Sequence, residues 1–153
     1  MKKEPSLKIF KRNITKVHKL LQKQLKLYNV NKIGKCKRKQ IVFGYYKGKK
    51  LIAGLYACNV CGILHIDLLW VDKPYRHNGL GSNLLKMAES YAIKNKALYA
   101  RVNTGSFQAP KFYSKQGYKQ FAKLPIIADT KQKHYDYYFV KYFKVRTDSI
   151  KKA

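Results

Sequence analysis

Acidic residues are scarce in this sequence. Seven Asp and Glu stand against 34 Lys and Arg in 153 residues, a formal net charge of +27. A field of that size attracts polyanions: nucleic acid, an anionic membrane surface, or a phosphorylated ligand. The lysines run along the whole chain, as a compositional bias would also produce, but such a bias accounts for many lysines more easily than for so few acids. Long apolar runs are absent too. No stretch reaches the 18 or so residues that a membrane-spanning helix needs, so no membrane span is expected. The N-terminal MKKEPSLKIFKRN has no apolar segment and does not read as a secretory signal, so a cytoplasmic protein is expected. Cysteines number three. Cys58 and Cys61 form C-x-x-C, but no second Cys/His pair follows at a suitable spacing, so no metal site is expected.

What is present fits one domain over residues 1–153, with a core at about 7–143 and a tail at 144–153; 46% of the residues are hydrophobic. Ile14, Val17, Leu20, Leu21, Leu25 and Tyr28 fall on one helical face and predict a helix over 13–28 that packs on its own sheet. IVFGYY, LIAGLYACN and GILHIDLLWV read as three antiparallel strands. A helix over 79–94 follows, with Leu80, Leu84, Leu85, Ala88, Tyr91 and Ala92 on one face. ALYARVN is the next strand, and the strand–helix–strand order makes it parallel to the third. QAPKFYSKQ reads as a short helix, and GYKQFAKL and HYDYYFVKYF as two aromatic-rich strands. The order α-β-β-β-α-β-α-β-β predicts an α/β fold with one mixed, twisted sheet of about six to seven strands and helices on both faces.

The chemistry concentrates in LLWVDKPYRHNGLGSNLL. A strand runs into Arg76-His77-Asn78-Gly79-Leu80-Gly81 and opens a helix. Gly79 and Gly81 lack the Cβ atoms that would block a ligand from the backbone. The helix start presents free N–H groups and a positive dipole end, which suits phosphate. The spacing is neither G-x-G-x-x-G nor a P-loop. Downstream lies Ala109-Pro110-Lys111-Phe112-Tyr113-Ser114-Lys115-Gln116-Gly117-Tyr118.

R-x-x-G-x-G after a strand ending in Leu-Trp-Val resembles motif A of the GNAT N-acetyltransferase superfamily, and A-x-x-x-Y-x-x-x-G-[FY] resembles its motif B. The resemblance covers about residues 7–143 and is residue by residue over 64–118. SFQAPKFYSKQGY is similar to a bacterial subgroup known generically as N-acetyltransferases. It implies a GNAT fold with splayed strands and acetyl-CoA as cosubstrate, and direct acetyl transfer to an amine within a ternary complex. By this resemblance Arg76, His77, Asn78, Gly79, Leu80, Gly81 and Ser82 hold the pyrophosphate. Leu69, Trp70 and Val71 place the thioester, with a backbone amide of Leu69 or Val71 polarising its carbonyl. Ser106, Ala109 and Phe112 complete the coenzyme contacts. Many GNATs carry Asn where Ser106 stands.

Tyr113 occupies the general-acid position of the family. A phenol is protonated at neutral pH and can donate to the departing sulfur. Asp67 is the only acid of an otherwise apolar strand and the candidate general base. His65 is its substitute and His134 a third candidate. The acceptor amine is open. Basic loops at 30–40 and 124–134 disfavour polycationic acceptors by like-charge repulsion. The alternative reading is a nucleic-acid or ribosome-associated protein on the same fold, with RNA as partner and with or without catalysis. Dimers are common among the proteins it resembles, so a homodimer is a further expectation.

Overall fold

The computed structural model describes residues 5–12 and 14–144; the expected tail from 145 onward lies outside the described residues. The chain divides into two compact units, Met1–Cys36 and Lys37–Ala153.

The first unit holds α1, Ile14–Ile33, which runs five residues past the end predicted from its apolar stripe. Val30 accepts a hydrogen bond from Gly34 N–H at 3.0 Å, and Gly34 takes a left-handed φ of 76°. That is a glycine stop of the usual kind. None of the α1 residues is buried. No described helix is long and apolar enough to cross a membrane.

The second unit is built on β1 (Lys39–Lys47), β2 (Lys50–Val60), β3 (Ile63–Val71), α2 (Leu80–Lys94), β4 (Tyr99–Gly105), α3 (Pro110–Lys115), β5 (Lys119–Ile126) and β6 (His134–Tyr142). The six strands form one mixed sheet in the order β1-β2-β3-β4-β6-β5. Pairing is antiparallel throughout except between β3 and β4, as the crossover through α2 requires. The turn between β2 and β3 has two residues, Cys61 and Gly62, with φ of 51° and 77°. Two left-handed residues in succession match the twist of the strands they join. The second cysteine of C-x-x-C is therefore a turn residue, whereas Cys58 is buried in β2.

Side chains on one face make the core. Ala53, Leu55 and Ala57 of β2, Leu64 and Ile66 of β3, and Ala100 and Val102 of β4 meet Leu84, Leu85, Ala88 and Ala92 of α2. The alanines on both sides let the helix lie close to the sheet. Tyr113 of α3 and Phe139 of β6 close the same core. One polar knot is sealed beside it. The Tyr118 hydroxyl donates to Glu89 at 2.9 Å, and Lys141 bonds the other Glu89 oxygen at 2.7 Å. Burial and the neighbouring carboxylate push the Tyr118 phenol far up. The knot ties α2 to the start of β5 and to β6.

Candidate active site

The site begins where two strands stop pairing. β3 and β4 are bonded only from Ile63–Tyr99 to His65–Arg101, and beyond that point they diverge. The parting coincides with a bulge. Tyr56 faces Leu68 and Ala57 faces Ile66, so Asp67 has no partner on β2. The extra residue turns the strand's sidedness over. Before it Leu64 and Ile66 are buried; after it Leu69 and Val71 pack on the core while Leu68 and Trp70 are exposed.

The ladder phase then fixes where the backbone points. Asp72 N–H donates to Ile52 O at 2.8 Å, so in this antiparallel pair the polar groups of Trp70 and Leu68 also face β2. Those of Leu69 and Val71 face the gap opened by β4. Arg76 reaches the same edge: its Nε donates to Val71 O at 3.1 Å.

The gap runs toward the start of α2. Gly79 is the N-cap of α2, left-handed at φ 78°, and no side chain caps the helix. Within α2 the N–H groups of Leu80, Gly81 and Ser82 have no acceptor in the preceding turn. His77 is also left-handed, at φ 67°. An uncapped helix start of this kind leaves backbone N–H groups available to an anion. A Cβ at Gly81 would sit 3.5 Å from Val71 and 3.6 Å from the Phe112 ring, so this turn nestles between β3 and α3. Gln116 donates to the Ser82 hydroxyl at 3.1 Å, fixing α2 to α3.

α3 carries Tyr113 into the core, among Phe112, Tyr118 and Phe139. Burial pushes its phenol up to about 12. The hydroxyl has no hydrogen-bond partner, yet no buried polar atom of the described residues is left unsatisfied, so its oxygen still reaches the surface. Ala109 caps α3, and its N–H donates to Thr104 Oγ1 at 3.4 Å. Ser106 is engaged with β6: its hydroxyl accepts from Tyr135 N–H at 3.2 Å, and its own N–H donates to Tyr135 O at 2.7 Å.

Residues 14–129 match the family described as Acetyltransferase (GNAT) domain. The chain belongs to the GNAT acetyltransferase family. An acetyltransferase of Bacillus cereus shares 26% identity, covers 89% of this chain and 98% of its own, and superposes with a TM-score of 0.77. A Bacillus anthracis protein assigned by similarity as a streptothricin acetyltransferase, solved with acetyl coenzyme A, shares the fold at 21% identity and a TM-score of 0.61, over 70% of this chain and 64% of that one. A blasticidin-S acetyltransferase of Streptomyces morookaense is 46% identical over 63 residues, 40% of this chain. The match spans 46% of that relative's length.

On this GNAT scaffold the three general-base candidates occupy two different places. His65 and Asp67 lie at the fork of β3 and β4, lining a cavity of about 180 Å³ with Arg101, Asn103, Phe121 and Tyr138. Arg101 Nε donates to His65 Nδ1 at 2.8 Å. With Nδ1 accepting, the neutral ring carries its proton on Nε2. Desolvation, then the Arg101 charge, holds the His65 pKa below its usual value. His65 therefore has no free lone pair to offer, which favours Asp67 between the two. His134 sits at the far end of β6, its Nδ1 3.5 Å from Ser106 Oγ and its ring edge-on to Phe107.

Four of the cavity residues were not singled out from the sequence: Arg101, Asn103, Phe121 and Tyr138. Asp136, beside Tyr138 on β6, joins them. Asn103 Nδ2 donates to Asp136 at 3.0 Å, and hydrogen bonding to that carboxylate raises the Tyr138 phenol. The signal that found Asp67 was available for Asp136 too, since it is the only acid in HYDYYFVKYF.

Proposed function

We propose that this protein transfers the acetyl group of acetyl-CoA directly to a primary amine. The observation that carries the reading is the fork. Two strands part at Asp67, two backbone amides face the gap, and the gap leads to an uncapped helix start with Gly79 and Gly81.

Each part has a task in this reading. The N–H groups of His77 to Ser82 bind the pyrophosphate, with Arg76 steering from the edge of β3. The amides of Leu69 and Val71 donate to the thioester oxygen as negative charge gathers on it. Asp67 takes the proton of the attacking ammonium, whose ordinary pKa is about 10. Tyr113 donates to the departing sulfur. A thiol ionises near 8.5, well below the value of about 12 for Tyr113. Complete proton transfer from Tyr113 would thus cost about 5 kcal/mol, at 1.36 kcal/mol per unit. Its part in this reading is a hydrogen bond to the sulfur as charge develops.

Which amine is accepted is a finer matter. One relative is named for acetylating blasticidin S, which makes that compound the first acceptor to try. The test of the reading is thermal melting with CoA. Saturation at 100 times Kd should stabilise by about 2.7 kcal/mol, and acetyl-CoA with an accepted amine should release thiol. No shift in melting with CoA would remove the reading.

The second reading, a polyanion contact beyond the coenzyme, draws support from α1. That helix carries five lysines, no acid and no buried residue. RNA binding with a steep inverse dependence on salt would support it. No retention on RNA at about 100 mM salt would remove it.

A further inference from the structure

The acids are few enough to be accounted for singly. Asp72 and Glu89 are paired with Lys50 and Lys141 at 2.7 Å each. Asp67 and Asp136 have no Lys or Arg nitrogen within ion-pair distance among the described residues. Asp129, exposed in the loop before β6, has no ion pair among the described residues either, but Asp67 and Asp136 share one small region of one sheet face in a chain with 34 cationic side chains and seven acids, and that needs a reason. Asp67 stands at the fork and Asp136 on β6, opposite Gly105 at the end of β4. Asp67 lines the cavity, and Asp136 is held by Asn103, which lines it too. Both Asp136 oxygens lie near Asn103 Nδ2, at 3.0 and 3.4 Å, so the carboxylate is oriented before any ligand arrives. Phe121 and Tyr138, with ring centroids 6.2 Å apart, add two aromatic surfaces to the same cavity. Aromatic faces and carboxylates together suit a cation.

We propose that the fork cavity takes a small dicationic amine, with the acetylated nitrogen at Asp67 and a second cationic group read by Asp136 beside the Phe121 and Tyr138 rings. The proposal rests on the acetyltransferase reading and names the class of its acceptor. Size supports it: about 180 Å³ is below the roughly 300–1,000 Å³ of drug-sized ligand sites. The basic surface argues the other way, but charges beyond about 8 Å are largely screened at physiological salt, whereas a carboxylate in contact is not. Among the described residues Arg101 is the one Lys or Arg lining the cavity, and its Nε is committed to His65 on the β3 side. It repels a second cation from that side and leaves the β6 side, where Asp136 stands.

The test compares two acceptors that share an α-amine and differ in a second charge, lysinamide and norleucinamide, with acetyl-CoA at physiological salt. Lysinamide should show a kcat/KM higher by about tenfold or more, the usual reach of a hydrogen bond to a charged group. Asp136→Asn, which keeps the side chain's size, should bring the ratio down toward one, and Asp136→Lys should invert it. Equal kcat/KM for the two amides in the unmodified protein, or a preference that survives Asp136→Asn, overturns the proposal. If turnover is too slow to measure, the same pair is ranked by calorimetric affinity for the CoA-loaded protein, and equal affinities overturn it as well. A protein that is not stabilised by CoA loses the acetyltransferase reading itself, which is a different result from turnover without preference.

Discussion

The two halves of β3 make different use of one strand. From Ile63 to His65 it is bonded on both edges, to β2 and to β4, and its inward residue Leu64 is fully buried. From Leu68 to Val71 it is bonded on one edge only, Trp70 is half exposed, and the backbone of Leu69 and Val71 faces a gap. Asp67, the bulge residue, divides them. The first half is paired on both sides, and the second leaves the backbone groups on one of its edges unpaired by a neighbouring strand. A buried strand edge left unbonded costs free energy, so an open one is a place for something else to bond.

That contrast can be broken or sharpened by substitution. The largest effect should come at the divide. Asp67→Asn should lower kcat by about 10²–10⁴-fold, the range of general-base catalysis. Its melting point should hardly move, because the side chain is exposed and unpaired, and surface changes of that sort stay within about 0.5 kcal/mol. A large loss of stability would show that the bulge acid is structural. In the paired half the pattern should reverse. Leu64→Ala should cost about 2–5 kcal/mol in denaturant unfolding, with CoA affinity lost only as far as the fold is lost. If Leu64→Ala were mild, the division of labour along β3 would fail.

Tyr113→Phe should cut turnover on the order of 10²-fold and leave CoA affinity nearly intact. Equal losses in both would make it a packing residue alone. Glu89→Gln should cost about 1–3 kcal/mol of stability, by weakening the knot with Tyr118 and Lys141, with kcat nearly unchanged. The smallest effect concerns pH. His65 has its pKa depressed in the folded state, so the unfolded chain binds its proton first as pH falls. The stability that His65 contributes is full above its ordinary value near 6.5 and lost as pH falls through the depressed value. His65→Gln should flatten that part of the stability curve, measured as melting point from pH 7 to 5. An unchanged slope would show that neither burial nor the Arg101 charge perturbs the imidazole.

Much of this was legible in the order of residues. The R-x-x-G-x-G turn and the motif around Tyr113 carried the family, and the strand–helix–strand crossover carried the parallel pair. Leu69 and Val71 were named from resemblance, and the ladder phase shows that their backbone groups, unlike those of Trp70, face away from β2. Less was legible at the fork. Arg101, Asn103, Asp136 and Tyr138 lie on strands separated by about 30 residues of chain. They meet only because β6 inserts between β4 and β5. His65 looked like a base because a histidine beside an acid on a strand often is one. Its partner Arg101 lies 36 residues away, across the parallel pair.

The sequence by itself determined the elements, the two glycines at the start of α2, and the chemistry of each single strand, because apolar period and backbone freedom are local properties. Only the tertiary structure decided the strand order, the end of β3–β4 pairing after His65 and the bulge at Asp67. It also brought Asp67 to the lining of the fork cavity and Asp136 to Asn103, which lines the same cavity. Those are contacts between distant segments, and their register is settled by packing across the whole sheet rather than by any window of residues.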